Sequence, residues 1–348
     1  MNIRPDRREF LCSAAASAAA FGFSPTACVA GFSADEQNLS EKKDNAVDSQ
    51  AALPIVDTHE HLWDLTKFNL PWTKGNAVLG RSFVTKDYLA ATAGLNVVKS
   101  VYMEVDVDPA QQVQEAEYVI ELCGRDDNPM VGAVISGRPA SSDFRAYITR
   151  YKDGPWIKGV RQVLHGPSNP AGFCLDRQFV KSVQLLGELG MSFDLCLRSG
   201  ELGDGEKLVA QCPHTRFVVD HCGNMSVVET EQKQKQLWMD GMKELAQHDN
   251  VVCKISGIVV TAREDWKPAD LAPNMRFSME TFGPDRRMFA GDWPVCTLRA
   301  SFRQWVSALK EIVRDMNMSL ADQKKLFHDN AVRFYGLKDK KWKMEDRG

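Results

Sequence analysis

Eight short, nearly continuous apolar segments recur along this chain, and amphipathic stretches of helical period separate several of them. Apolar runs without alternation are typical of strands buried on both faces, and strands that alternate with helices form parallel sheets. The predicted strands are Ile55–Asp57, Val97–Val105, Met130–Ile135, Ile157–Val163, Met191–Leu195, Arg216–Val219, Val251–Ile255 and Met288–Ala290. The predicted helices are Ala110–Cys123, Phe179–Leu189, Gln232–Gln247, Arg299–Asp315 and, near the C-terminus, Ser319–Val332.

A count of eight strands favours a closed barrel over an open sheet. The predicted class is α/β and the predicted architecture is a (β/α)8 TIM barrel, which needs about 250 residues. The chain has 348 residues, so one barrel fits within it. An open α/β sheet shows similar alternation, but no Gly-x-Gly-x-x-Gly pattern follows the first strand. In a barrel of this kind, functional side chains lie at the C-terminal ends of the strands.

Residues 1–30 are predicted to be an export signal rather than part of the fold. The pair Arg7-Arg8 precedes a short, mildly apolar stretch rich in Ala and Ser, a pattern typical of the twin-arginine route. This route delivers a folded protein to the periplasm or the exterior. Cleavage after Ala30 and lipidation of Cys28 both remain open. The other predicted segments are a disordered linker, the barrel and a charged tail, over residues 31–53, 54–338 and 339–348.

The overall composition excludes several classes of partner. A net charge of -3 without a basic stripe argues against nucleic acid. No apolar run is long enough to cross a membrane. The nine cysteines are scattered without Cys-x-x-Cys spacing, which argues against a disulfide framework. We therefore expect a small-molecule substrate, and association of identical chains is compatible with the sequence.

Two histidines end the first predicted strand. In the segment Ile55-Val56-Asp57-Thr58-His59-Glu60-His61 they are spaced i, i+2, which puts both imidazoles on one side of a strand. There they can bind a divalent cation or polarise a carbonyl group. The pair alone is equally compatible with one histidine that ends the strand and one that is exposed. The last apolar run favours a functional site, because it delivers Asp292, just after a glycine, to another strand end.

Other ionisable and aromatic side chains lie near the predicted strand ends, whereas the strand bodies are apolar. They are Glu104 after the second strand, Arg161 and His165 at the fourth, Arg198 at the fifth, His221 after the sixth, and Trp63 and Trp293 beside the first and the last. Side chains scattered over a surface would not sort in this way. The strand ends are therefore predicted to form one site.

Four motifs carry a resemblance to a known family. They are Asp57-Thr58-His59-Glu60-His61, Asp220-His221-Cys222-Gly223-Asn224, Cys253-Lys254-Ile255-Ser256-Gly257 and Gly291-Asp292-Trp293-Pro294. In this order they resemble the amidohydrolase superfamily, over roughly residues 54–337. The match is strongest with the branch that contains sugar-acid lactonases (L-fuconolactonase and L-rhamnonolactonase) and pyrone dicarboxylate lactonase.

The resemblance implies a (β/α)8 barrel with hydrolytic chemistry. It implies that His59 and His61 form the paired histidines of the first strand, with His221 on the sixth strand and Asp292 on the eighth. These four residues are also the candidate metal ligands. Metal-dependent members usually carry a further ligand on the fifth strand, where this chain offers only Asp194 and no histidine. The expected cofactor is therefore none, or one weakly held divalent cation, zinc or manganese.

The predicted reaction is the opening of a sugar-acid lactone such as L-fucono- or L-rhamnonolactone. Asp292 is the expected general base that activates water, and His59, His61 and His221 polarise the carbonyl group. The residues expected to bind substrate are Glu104, Arg161, His165, Arg198, Trp63 and Trp293. Each arginine could instead serve a structural ion pair, and Glu104 could instead orient a histidine.

Two rival functions use the same barrel. A metal-dependent, non-oxidative decarboxylase of an aromatic acid shares the paired histidines, the sixth-strand histidine and the eighth-strand aspartate. A catalytically inactive sugar-binding barrel is the other rival. The retained Asp292 and three histidines argue against it, because a binding module has no need of a base.

Overall fold

The computed structural model describes residues 53–166 and 168–340. The predicted export signal, most of the predicted linker and residues 341–348 of the predicted tail lie outside these ranges, so those assignments stay predictions. Within the described part of the chain, no helix has the length and apolar character needed to cross a bilayer.

All eight predicted strands are confirmed, and all are parallel. They are β1 (Ile55–Glu60), β2 (Val97–Met103), β3 (Met130–Ser136), β4 (Ile157–Val163), β5 (Ser192–Cys196), β6 (Arg216–Val219), β7 (Val251–Ile255) and β8 (Arg287–Phe289). They lie in the sheet in the order of the sequence. The sheet closes where the Thr58 hydroxyl donates to the Phe289 carbonyl (2.7 Å) and the His61 amide donates to the Trp293 carbonyl (2.8 Å). The fold is the predicted TIM barrel.

Helices follow the strands around the outside of the barrel. They are α1 (Thr85–Thr92), α2 (Gln112–Gly124), α3 (Phe144–Ile148), α4 (Arg177–Glu188), α5 (Leu202–Gln211), α6 (Gln232–Ala246), α7 (Pro268–Phe282), α8 (Phe302–Asp315), α9 (Leu320–Lys324) and α10 (Asn330–Tyr335). The start of α8 is a capping box, in which the Ser301 hydroxyl accepts from the Gln304 amide (3.2 Å) and the Gln304 side chain accepts from the Ser301 amide (2.8 Å).

Several predicted boundaries differ from the structure by one to three residues, and two differences alter an element itself. β1 continues three residues beyond Asp57, because polar side chains at its end bond to β8 and to the segment that follows β8. His59 therefore lies inside the strand. The predicted terminal helix is interrupted by a wider π-helical turn, Lys325–Asp329, which separates α9 from α10.

The N-terminal half of the barrel is filled by apolar side chains. Val56, Val218 and Met288 belong to a buried cluster that also contains Tyr335 and Leu337 from the C-terminal segment. Burial of such side chains drives folding and leaves no room for solvent at that end. Polar groups inside the barrel are therefore concentrated towards the C-terminal ends of the strands.

Candidate active site

The four predicted catalytic residues meet at the C-terminal end of the barrel. Nε2 of His59 lies 3.1 Å from Nε2 of His61. Oδ1 of Asp292 lies 3.7 Å from Nε2 of His59, 3.5 Å from Nε2 of His61 and 4.0 Å from Nε2 of His221. All four side chains are buried. One carboxylate oxygen thus faces three imidazole nitrogens.

Unusual backbone conformations deliver two of these side chains. Asp292 and His221 have φ angles of 52° and 51°, in a region that non-glycine residues rarely adopt. The turn at Asp292 is held by the Cys296 amide, which donates to the Asp292 carbonyl (2.7 Å). Left-handed residues of this kind concentrate at functional sites, because the surrounding structure must hold them there.

Asp57 joins the two strands that carry the site, a role that the sequence analysis did not assign. Its Oδ1 accepts from the Gly291 amide (2.7 Å) and the His59 amide (3.0 Å), and its Oδ2 accepts from the Tyr88 hydroxyl (2.9 Å). A Cβ at Gly291 would lie 2.5 Å from Oδ2 of Asp57. The glycine before Asp292 is therefore required by this close approach. The sequence feature that could have indicated this role is an acidic residue within an otherwise apolar predicted strand.

Hydrogen bonds set the tautomers of the imidazoles. Nδ1 of His61 lies 2.9 Å from the Met103 carbonyl oxygen, which only accepts, so Nδ1 carries the hydrogen and the lone pair of Nε2 faces the site. Nδ1 of His59 lies 3.6 Å from Oδ1 of Asp220. This contact is too long for a hydrogen bond. Nη1 of Arg161, which can only donate, lies 3.2 Å from Nε2 of His59, so the lone pair of that nitrogen faces the guanidinium.

Burial keeps His59 and His221 neutral. Burial lowers the pKa of His59 well below its ordinary value and also lowers the pKa of His221, although nearby carboxylates oppose both shifts. Burial acts to raise the pKa of Asp220, but the Lys254 ammonium and His59 outweigh it and hold the pKa well below its usual range. Asp220 therefore stays ionised beside His59.

A buried charge network lies directly beneath the histidines. Arg161 Nε contacts Oε1 of Glu104 (2.6 Å), and its Nη1 contacts Oδ2 of Asp220 (3.3 Å). Lys254 Nζ contacts Oδ2 of Asp194 (2.6 Å) and Oδ1 of Asp220 (3.3 Å). The network thus pairs every one of these charges, as buried ions require.

A cavity of about 890 Å³ opens above the histidines at the C-terminal ends of the strands. Among the predicted site residues, those in its wall are His61, Arg161, His165, His221 and Asp292. A cavity of this size is typical of a small-molecule site, and it is continuous with the one cluster of catalytic groups described above.

Comparison with known proteins assigns the family. The amidohydrolase sequence profile matches residues 56–337. The chain belongs to the amidohydrolase family. It is 27% identical over 292 residues to an L-fucono-1,5-lactonase of Burkholderia multivorans, covering 81% of this chain and 96% of that protein. An L-rhamnono-gamma-lactonase of Scheffersomyces stipitis is 23% identical over 336 residues, covering 81% and 98%. A crystal structure of an amidohydrolase from Burkholderia multivorans with bound zinc has a TM-score of 0.73 at 23% identity, covering 82% of this chain and all of that one.

The donor set of this amidohydrolase fits a divalent cation. Tetrahedral zinc with bonds of about 2.0–2.1 Å holds its ligand atoms roughly 3.3 Å apart, and the atoms of His59, His61 and Asp292 lie 3.1 to 3.7 Å apart. Two imidazole lone pairs that face each other repel unless a positive charge lies between them. Three protein ligands and an open fourth position are typical of catalytic zinc.

Arg161 opposes tight binding of such a cation. Its Nη1 lies 3.2 Å from Nε2 of His59, and coulombic attraction to Glu104 outweighs burial and raises the pKa of Arg161 well above its usual range. A permanent positive charge beside a ligand atom disfavours a second cation through repulsion. The arrangement is therefore compatible with a metal that is held weakly.

Four substrate-binding predictions are corrected by the structure. Trp63 and Trp293 are buried and lie outside the cavity wall, because their rings pack against Phe83 in an aromatic cluster. Glu104 is also outside the wall, and both its carboxylate oxygens are engaged by protein groups. Arg198 is outside the wall too, and its Nη2 donates to backbone carbonyls of the loop after β4. The structure therefore places these four side chains behind the cavity wall rather than in it.

Most residues of the cavity wall were not predicted from the sequence, and Trp72 and Gln162 are two of them. Trp72, in the loop after β1, lines the cavity and donates from Nε1 to the Val105 carbonyl (2.7 Å). Gln162, next to Arg161 at the end of β4, also lines it. The sequence signal for Gln162 was a polar side chain at the end of a predicted strand, whereas nothing in the sequence marked Trp72.

Proposed function

We propose that this amidohydrolase hydrolyses the lactone of a sugar acid. The observation that carries the proposal is the convergence of Oδ1 of Asp292 with three imidazole nitrogens at the floor of a cavity. A carboxylate beside neutral imidazoles can accept a proton from water while the imidazoles face the carbonyl group. The sugar-acid part of the proposal is supported by the relatives named as sugar lactonases.

In the proposed reaction Asp292 takes a proton from water as the water oxygen bonds to the lactone carbonyl carbon. The ring C–O bond then breaks, and Asp292 returns the proton to the departing alkoxide. The product carboxylic acid ionises and releases one proton to solvent. A cation held by His59, His61 and Asp292 would supply Lewis-acid polarisation of the carbonyl group.

Fixed charges around the floor favour the transition state. The Arg161 guanidinium lines the cavity and is anchored by Glu104, so its positive charge needs no reorganisation when negative charge develops on the carbonyl oxygen. The Asp220 carboxylate lies 3.6 Å from Nδ1 of His59 and places a fixed negative charge beside that ring. The charges of Arg161 and Asp220 are therefore in position before the substrate binds.

The test is proton release from a panel of hexono-1,5- and hexono-1,4-lactones, measured with the wild type and with Asp292→Asn. We expect the variant to keep its fold and to lose at least about a hundredfold in kcat/KM, the lower end of the usual general-base contribution. Asp153→Asn, at an exposed position, is the matched control and should leave the rate unchanged.

The same assay is repeated after chelation and after return of zinc or manganese. A weakly held metal predicts loss and recovery of the rate, whereas an unchanged rate assigns the polarisation to the imidazoles and Arg161. Wild-type protein that opens no lactone, or an Asp292→Asn variant with full activity, would overturn the proposal. Release of carbon dioxide from an aromatic acid would replace it with the decarboxylase.

A further inference from the structure

The cavity has one apolar side and one polar side. We propose that the substrate is a sugar-acid lactone that carries an apolar substituent, and that this substituent lies on the apolar side. This inference rests on the proposed function and names its substrate class more closely. The apolar wall, as we call that side, consists of Trp72, Val105, Val107, Ile258, Val260 and Val295.

The apolar wall is continuous around the barrel. Its residues come from the loops after β1 and β2 and from the loops after β7 and β8, and these four strands are neighbours because the barrel closes between β8 and β1. The loops after β3, β4 and β6 form the opposite side. That side carries polar groups, among them Arg138, Gln162, Asn169 and Asn224.

The volume of the cavity exceeds what a simple sugar lactone fills. At about 30 Å³ for each water molecule in the liquid, 890 Å³ corresponds to roughly thirty non-hydrogen atoms. A hexonolactone has roughly twelve such atoms, and bound ligands usually bury most of their surface. The remaining space borders the apolar wall, where water is held poorly and an apolar group gains by displacing it.

Most polar atoms on the apolar side are already engaged within the protein. The Thr261 hydroxyl donates to the Ile258 carbonyl (2.7 Å) and accepts from the Val227 amide (3.0 Å). Oδ1 of Asp106 accepts from Nη2 of Arg138 (2.8 Å), and Oδ1 of Asp108 accepts from the Ala110 amide (3.0 Å), which leaves Oδ2 of these two acids as the acceptors on this side. Sugar hydroxyl groups placed against the apolar wall itself would lose hydrogen bonds to water without replacement.

The polar side of the cavity is where we expect the lactone ring to lie. Gln162 is 8% exposed and lines this side, and its Oε1, itself shielded from solvent, accepts no hydrogen bond from any described residue. The neighbouring amides are engaged, since Nδ2 of Asn169 donates to the Val163 carbonyl (3.0 Å) and Nδ2 of Asn224 to the Leu197 carbonyl (2.8 Å). With the ring hydroxyls on the polar side, a substituent on the ring points across to the apolar wall.

Trp72 extends the apolar wall to the mouth of the cavity. Its side chain is large and apolar, yet the residue is 42% exposed. Its indole N–H is bonded to Val105, so its orientation is set while its ring remains available. A rigid aromatic face that borders a catalytic cavity favours an aromatic or aliphatic substituent over a hydroxylated one.

The test compares a hexono-1,5-lactone that the enzyme opens with each of its monobenzyl ethers, by proton release with the full-length protein. We expect at least one ether to show kcat/KM about tenfold or more above the parent lactone, the usual effect of filling an apolar pocket. The Gln162→Leu variant should lose rate on parent and ether alike.

The double substitution Val260→Thr and Val295→Thr keeps side-chain shape and places two hydroxyls on the apolar wall. It should reduce the ratio of ether to parent kcat/KM to near one, and a ratio is insensitive to the amount of folded enzyme. Val228→Thr, at an exposed position outside the cavity, is the control and should leave the ratio unchanged. If the parent is opened but every ether is slower, or if the double variant keeps the wild-type ratio, the inference fails and the proposed function stands. If no lactone is opened, both fail.

Discussion

Gly257 permits the position of His221, and its replacement tests whether that position matters. Gly257 follows the strand β7 and has a φ of 69°. A Cβ at this position would lie 2.5 Å from Cγ and 2.8 Å from Cβ of His221, and real side chains do not approach so closely. In Gly257→Ala the imidazole must therefore move away from Asp292.

Gly283 provides a matched control. It also has a φ of 69°, but a Cβ there would meet nothing within 4 Å. Alanine is strained at both sites, because φ 69° is combined with ψ −37° at Gly257 and with ψ 177° at Gly283, and such conformations cost about 1–3 kcal/mol. Only Gly257→Ala adds a clash, worth about 1–3 kcal/mol in a packed interior. We expect about 1–3 kcal/mol of destabilisation in the control and about 2–6 kcal/mol in Gly257→Ala.

Activity separates the two variants more strongly than stability. A displacement of about 1 Å in a catalytic group can reduce the rate about a hundredfold. We expect this loss in kcat/KM for Gly257→Ala and less than about threefold for Gly283→Ala, with both measured by proton release from an opened lactone and both checked by urea unfolding. Equal rates in the two folded variants would refute the argument that the close approach of Gly257 positions His221 for catalysis.

Two further predictions concern buried charges. Lys254→Met keeps the alkyl stem but leaves Asp194 and Asp220 without the ammonium, so the free energy of unfolding measured in urea should fall by about 3–5 kcal/mol. Adding Asp194→Asn to this variant should restore part of that free energy. A fall below about 1 kcal/mol would contradict the stabilising role of the charge network. Burial raises the pKa of Glu60 from 4.5 to about 8, and Oε2 has no partner among the described residues. A carboxyl group with a raised pKa in the folded state stabilises the fold fully below pH 4.5, and this stabilisation is lost as the pH rises towards 8. Glutamine does not titrate, so Glu60→Gln should become more stable relative to the wild type as the pH rises across this interval. A difference in unfolding free energy that does not change with pH would contradict this prediction.

The barrel was predictable from the sequence because its strands are buried on both faces. Continuous apolar runs and intervening helical periodicity are local signals, and all eight strands were found from them. Strand ends were harder to predict where polar side chains continue a strand, as at the end of β1. The hydrogen-bond partners of those side chains lie on β8, far away in the sequence. The meeting of His59, His61, His221 and Asp292 was expected because strand ends of one barrel share one face.

The sequence could not separate residues that contact the cavity from residues that support it. Glu104, Arg198, Trp63 and Trp293 stand beside strand ends, as the catalytic residues do, and only packing shows that they lie outside the cavity wall. For the charged pair the reason is electrostatic, because a buried ion takes the nearest opposite charge or carbonyl. For the aromatic pair it is the gain from burying a large apolar surface.

What the sequence by itself determined was the order of the strands and the residue types delivered to their ends, since both follow from local patterns along the chain. The tertiary structure alone decided the pairing of Lys254 with Asp194, the approach of Gly257 to His221, and the division of the cavity into an apolar and a polar side. These features depend on distances between residues far apart in the chain, and closure of β8 on β1 sets those distances.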